Sequence, residues 1–190
     1  MQTVLHRWSD RRPVPWKNGG GITHDVASWP PGAGADDFHW RVSIADVDAP
    51  GPFSTFPGVD RIITLIEGGS MVLDLQNEGR QHTLTPGEPF AFSGDDTLAC
   101  HLPEGPTRDL NVMTRRGVCS GDVSVHQVTD PLTLGGNSRR HLLVALSDAV
   151  ADERTSQRTD EAWELDRLDV LEFSAAVQVR AGLVAVIRIW

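Results

Sequence analysis

The segment Pro15-Trp16-Lys17-Asn18-Gly19-Gly20-Gly21-Ile22-Thr23 holds the only lysine of a 190-residue chain, between a tryptophan, an asparagine and three consecutive glycines. Three glycines disfavour regular helix or strand and let backbone N–H groups approach a ligand closely, while Lys17 brings a positive point charge beside an aromatic wall. The plain alternative is a Gly-rich turn whose lysine is solvated. A phosphate loop of the Walker type does not fit, because the lysine precedes the glycines and no strand-then-helix pattern surrounds it. Arg41, Arg61 and Arg115 add three cations in an otherwise acidic chain, and arginine suits planar, bidentate capture of a carboxylate. With Lys17 they form a candidate ligand-binding set in which Asn18, Ser43 and Asn111 set orientation.

Strands must bring these residues together. From Phe38 to Ala45 the chain alternates, with Phe38, Trp40, Val42 and Ile44 on one face and His39, Arg41, Ser43 and Ala45 on the other, as a half-buried strand requires. Asp109, Asn111, Met113 and Arg115 likewise alternate with Leu110, Val112 and Thr114. The polar rows line a cavity or form an ordinary solvated sheet face. Trp16, Trp40, Phe53 and Phe56 could stack on a planar ligand, although Trp40 shares the apolar face of its strand and reads as core. Phe53 to Gly58 reads as a bent loop whose phenylalanines plug a barrel end. Asp109 is the one carboxylate among the cations, and a structural ion pair to Arg61 or Arg115 is its expected role.

The formal charge of −9 and the absence of any basic cluster beyond arginine pairs argue against nucleic acid or an anionic membrane surface as partners. The first residues carry no apolar signal-peptide core and no 18-residue apolar run appears, so a cytoplasmic protein is expected. Cys100 and Cys119 lack a CxxC spacing and read as reduced, structural residues. With one lysine among seventeen basic residues, the usage resembles that of a GC-rich bacterial genome. No cofactor is implied, and a homodimer is compatible with the sequence.

Many short strands punctuated by Gly, Pro and Asp, with little helical periodicity, predict an all-β sandwich or barrel. Arg61 to Gly68 and Met71 to Leu75 are expected to form a hairpin around Gly68-Gly69. A weak internal repeat lays Arg61-Ile62-Ile63-Thr64-Leu65 over Arg140-His141-Leu142-Leu143-Val144, and Leu84 to Phe92 over Leu165 to Phe173. The copies would end in the apolar strands Thr97 to Leu102 and Leu183 to Ile189. The polar stretch Asp148 to Glu161 reads as the place where the second copy has lost its hairpin.

A strand, a Gly turn, a second strand and a Pro-Gly turn leading to an aromatic strand resemble a cupin half-barrel. Four blocks in order, Trp16 to Thr23, Trp40 to Ala45, Gly51 to Arg61 and Arg108 to Arg116, resemble the HutD/Ves family. The resemblance implies a bicupin of two jelly-roll units, expected at 1–116 and 117–190 and packed as one domain, and an association with histidine utilisation. A metal-binding cupin brings two histidines one residue apart, a carboxylate and a third histidine. The corresponding stretch, Val59-Asp60-Arg61-Ile62-Ile63, has neither histidine, and no two of the seven histidines are spaced i, i+2 or i, i+4; no metal is expected.

Function is accordingly read as binding of a small anionic carboxylate from histidine breakdown, such as urocanate or formylglutamate, with a regulatory role. A metal-free enzyme using Lys17 or Asp109 as proton carrier, and an interaction module of the same pathway, remain as alternatives; no nucleophile–base pair marks an enzyme.

Overall fold

A computed structural model describes residues 3–34, 36–135, 140–153 and 162–190. The described residues are nearly all β. In chain order the strands are β1 (Val4–His6), β2 (Pro13–Pro15), β3 (Gly21–Trp29), β4 (Trp40–Val47), β5 (Gly51–Pro52), β6 (Val59–Glu67), β7 (Met71–Leu75), β8 (Arg80–Leu84) and β9 (Pro89–Ser93). They continue as β10 (Leu98–His101), β11 (Thr107–Arg115), β12 (Gly121–Val128), β13 (Leu132–Leu134), β14 (Arg140–Ala145), β15 (Ala149–Glu153), β16 (Ala162–Leu165), β17 (Val170–Phe173) and β18 (Val177–Ile189). One short 3-10 turn, Trp8–Asp10, interrupts them.

The chain divides into two compact units, Arg12–Ser120 and Met1–Arg11 with Gly121–Trp190. The boundary thus falls at 120/121 rather than the expected 116/117, and the N-terminal segment belongs to the second unit. The reason is strand pairing: Val4, Leu5 and His6 lie opposite Glu172, Leu171 and Val170. Asp169, 1% exposed, fastens the two residues after β1, accepting from Arg7 Nη1 and from the Trp8 backbone N–H, each at 2.7 Å.

In the Arg12–Ser120 unit a six-stranded sheet, β2-β3-β4-β11-β6-β9, accompanies a four-stranded sheet, β5-β10-β7-β8. Ala45, Ile63, Leu65 and Phe92 from the first pack with Met71, Leu73, Leu75, Leu84, Leu98 and Cys100 from the second. The expected β6–β7 hairpin does not form. β6 pairs with β11 and β9, β7 with β10 and β8, and the Gly68-Gly69 turn carries the chain from one sheet to the other. Gly68 sits at φ +100°, where an added methyl would lie 2.9 Å from Thr107 Cγ2, so only glycine suits this crossing.

The second unit repeats the order. β12 and β14 flank β18 as β4 and β6 flank β11, and β14 pairs with β17 as β6 pairs with β9. β15 and β16 form the hairpin that β7 and β8 form in the first unit, so the second copy retains its hairpin; residues 154–161 between them lie outside the described residues. β18, thirteen residues long, replaces both β10 and β11. The repeat's register also shifts. Arg61 lies opposite Phe92 and His141 opposite Phe173, so Arg61 corresponds to His141 and not to Arg140. A one-residue slip in a strand exchanges its faces.

Candidate functional site

Between the sheets of the Arg12–Ser120 unit lies a cavity of about 650 Å³. Three adjacent strands present their inward side chains in cross-strand rows: Arg41, Met113 and Arg61; Ser43, Asn111 and Ile63; Ala45, Asp109 and Leu65. All but the deep Ile63 and Leu65 line the cavity. Exposed Val14, Pro15, Lys17, Asn18, Pro52 and Ser54 rim it, and Trp16, Thr23, Phe53 and Phe56 complete its wall. The polar-row reading of β4 and β11 is therefore correct as geometry: Ser43, Asp109 and Asn111 are buried against this space, not solvated. Trp40, at 4% exposure, is core.

Arg61 is the centre of the lining. It is 4% exposed, with its guanidinium carbon 5.5 Å from the centre of the Phe53 ring, 5.3 Å from that of Phe56 and 4.9 Å from that of Phe92. The phenylalanines of the 53–58 loop thus hold a cation rather than merely plugging the barrel. Its Nη1 donates to the Ser54 carbonyl at 3.2 Å and its Nη2 to Asn111 Oδ1 at 2.9 Å, while Nε–H has no partner among the described residues. Burial lowers its pKa to about 10, against the raising influence of Asp109; nearby Arg41 lowers it further.

Asp109, 1% exposed, forms no ion pair within 4 Å among the described residues, contrary to its expected role. Its Oδ1 accepts from Asn111 Nδ2, and its buried Oδ2 has no partner among the described residues. Asn111 therefore bridges the two charged groups, accepting from Arg61 with its oxygen and donating to Asp109 with its nitrogen. Burial raises the Asp109 carboxyl to about pKa 7 against the opposing pull of Arg61 and Asn111.

The Gly-rich segment is the β2–β3 hairpin turn. Trp16 N–H donates to the Gly21 carbonyl at 2.9 Å and Gly19 N–H to that of Trp16 at 3.0 Å. Asn18 Oδ1 accepts from Gly20 N–H at 3.0 Å, which commits that oxygen to the turn. At Gly21 a methyl would strike the Asp46 carbonyl and the Trp16 ring, so the glycine seats the indole, whose Nε1–H donates to Thr23 Oγ1 at 2.7 Å. Lys17 is left exposed at the rim. Arg41 also lines the cavity, but its Nε and Nη2 both donate to Asp25 Oδ1, a partner the sequence did not suggest.

Six of the seven expected ligand residues, Lys17, Asn18, Arg41, Ser43, Arg61 and Asn111, meet in this one space; Arg115 does not. Its Nε donates to the Phe38 carbonyl and its Nη2 to that of Asp36, both at 2.9 Å, and the group lies over the Phe38 ring. Strand periodicity put Arg115 on the correct face, but at the strand end its long side chain is drawn to a loop. Asp109 is the lining residue assigned a different role, although its i, i+2 spacing from Asn111 marked it.

The interior does not fit a metal ion. No three His, Cys, Asp or Glu side chains among the described residues converge on a point, and a buried guanidinium bonded to Asn111 occupies the polar centre. Also among the described residues, no helix is long and apolar enough to cross a membrane.

Two jelly-roll units in one chain, one enclosing a cation-lined cavity, define a bicupin. The chain belongs to the HutD family, whose model matches residues 8–186. It is 46% identical to protein Ves of Citrobacter koseri over 120 residues, an alignment spanning 61% of each protein. It resembles the structure of HutD from Pseudomonas fluorescens SBW25 (TM-score 0.84, 30% identity, 99% of this chain and 98% of that one). A conserved protein of unknown function from Pseudomonas aeruginosa PAO1 is similar over 100% of this chain and 99% of its own (TM-score 0.89, 31% identity). The cupin fold itself extends to Lactobacillus farciminis oxalate decarboxylase, at 9% identity and TM-score 0.69 over 100% of this chain and 86% of that one.

Proposed function

We propose that the chain binds a small anionic metabolite of histidine catabolism, of the urocanate or formylglutamate type, in this cavity and without a metal, and that binding regulates histidine utilisation. The observation that carries this is Arg61: a 4% exposed guanidinium lining an open cavity, with an unbonded Nε–H. Burying a cation with an unmet donor is costly unless an acceptor completes it. Lys17 at the rim and Arg41 in the wall add charge of the same sign. A formate condition is recorded for the P. fluorescens HutD structure, which makes formate the smallest probe to try.

Calorimetric titration of formate, glutamate, urocanate and formylglutamate into wild type, Lys17→Ala, Arg41→Ala and the surface variant Arg80→Ala tests the proposal. A charge-assisted hydrogen bond in a fully desolvated site contributes about 1.5–3 kcal/mol; exposed Lys17 and Asp25-matched Arg41 act on the ligand mainly by charge, so each of these variants should bind about two- to tenfold more weakly. Arg80→Ala should bind as wild type does. If wild type binds none of the anions, or if all the variants bind alike, the assignment fails.

Metal-free acid/base chemistry is the second reading, supported by the Asp109 carboxyl at about pKa 7 in the same lining. Turnover of urocanate or formylglutamate that disappears in Asp109→Asn would favour it over simple binding.

A further inference from the structure

The cavity lining holds two buried polar atoms without partners among the described residues, Arg61 Nε–H and Asp109 Oδ2. Asn111 ties their residues into one chain, so neither can turn away without breaking its bond. An incoming carboxylate satisfies Arg61 at once, but beside an ionised Asp109 it faces a second carboxylate. Two neighbouring carboxylates in a desolvated site do not both stay ionised; they share a proton.

We propose that a carboxylate is captured here together with one proton, which adds from solvent to Asp109 Oδ2, so that Oδ2–H and Arg61 Nε–H donate to the two oxygens of the ligand carboxylate. The inference rests on the anion-binding reading above and names how the site selects its ligand. One proton is added and no covalent bond breaks. Asp109 Oδ1 keeps its bond from Asn111, and both unpartnered atoms become satisfied by a single planar group. The charge arithmetic agrees. Arg41 is matched by Asp25 and Arg61 by Asp109, leaving Lys17; protonation of Asp109 releases the Arg61 charge for the ligand.

The groups that act electrostatically on Asp109 or are acted on by it are Arg61 from β6, Asn111 on its own strand, Asp46 from β4 and Cys100 from β10; Arg41 from β4 acts on Arg61. Burial disfavours the ionised form of Asp109 and holds its carboxyl at about pKa 7. A ligand presenting an N–H and a carbonyl would instead satisfy an ionised Asp109 and Arg61 with no proton exchanged, which makes proton uptake the discriminating measurement.

The test titrates formate and formylglutamate, whose carboxylates stay ionised from pH 6 to 8.5, in buffers of low and high protonation enthalpy. Wild type should take up close to one proton per ligand at pH 8, and Kd should rise about tenfold from pH 7.5 to 8.5. Asp109→Asn, which keeps an acceptor for Asn111 and places a permanent donor at the other position, should bind with no proton uptake and a flat pH profile. At pH 8.5 it should bind about tenfold or more tightly than wild type. His24→Asn, altering a histidine bonded to Asp46, should leave the uptake unchanged. Wild-type binding with no proton uptake overturns this inference alone and requires no variant. Absence of binding even at pH 6, where Asp109 is protonated, overturns the anion-binding reading and this one with it.

Discussion

The two units place different side chains on one scaffold. In the Arg12–Ser120 unit the inward rows read Ser43, Ile63, Asn111 and Ala45, Leu65, Asp109. At the corresponding positions of the other unit they read Ser124, Leu143, Val186 and His126, Ala145, Val184. Valines thus stand where Asn111 and Asp109 stand. Leu143, Ala145, Leu171, Phe173, Val184 and Val186 pack into one buried apolar cluster, and His126 is bonded to Ser124 at 2.9 Å. The first barrel instead has a cavity into which Arg61, Asn111 and Asp109 project, with two atoms unmet among the described residues. A filled apolar interior is the stable use of such a barrel, because buried charge must recover its desolvation cost through partners. Departure from that rule is why the ligand site is proposed in the first barrel.

The largest effect should come from the buried apolar cluster of the second unit. Phe173, fully buried, should cost about 3–5 kcal/mol on truncation to alanine, while half-buried Phe53 at the cavity wall should cost much less and weaken anion binding. Urea midpoints check this, and equal costs would break the comparison. Next is conversion of one barrel toward the other. Arg61→Met with Asp109→Val and Asn111→Val should abolish anion binding and raise stability by about 1–4 kcal/mol, as replacement of buried ion groups by apolar ones often does; a large loss of stability would show that the polar relay organises the fold.

The pH dependence of stability is smaller and separable. Asp109 titrates near pH 7 when folded but near 3.9 when unfolded. The folded state therefore binds more protons in between, so the stability of the neutral form is complete below about pH 4 and is lost as pH rises through about 7. Relative to Asp109→Asn, wild type should weaken by about 1.4 kcal/mol per pH unit at most across that window and then level off. Asp46 and Glu172, both held low, the first by bonds from Arg108 and His24 that outweigh its burial and the second chiefly by His6, titrate in the opposite sense, and the difference between the two proteins cancels them. A flat difference would place Asp109 at an ordinary pKa. Smallest of all, Arg115→Ala should change anion binding by less than about twofold, since its guanidinium is spent on the Phe38 and Asp36 carbonyls; titration calorimetry decides.

Period-2 alternation told which face Arg41, Ser43, Asp109 and Asn111 would take, because a strand offers only two faces. It could not tell how far along a strand a long side chain would swing, hence the error at Arg115. The Gly68-Gly69 turn was legible as a turn, but hairpin and sheet-to-sheet crossing share the same glycine chemistry; the pairing of β6 with β11, far along the chain, made the choice. The one-residue slip at Arg140 arose because apolar residues fill both faces of β14, where Leu142, Leu143 and Val144 are all fully buried, and the alternating signal is lost.

The order of residues alone determined the β class, the acidic surface, the glycine turn at Lys17 and the family, since each rests on local chemistry or on motifs contiguous in the chain. Only the tertiary structure decided that Arg61, Asn111 and Asp109 form one buried relay, that Arg41 is matched by Asp25, and that the N-terminal strand joins the second unit. These are pairings between strands distant in sequence, set by sheet register and burial, and nothing local to any of those residues specifies its partner.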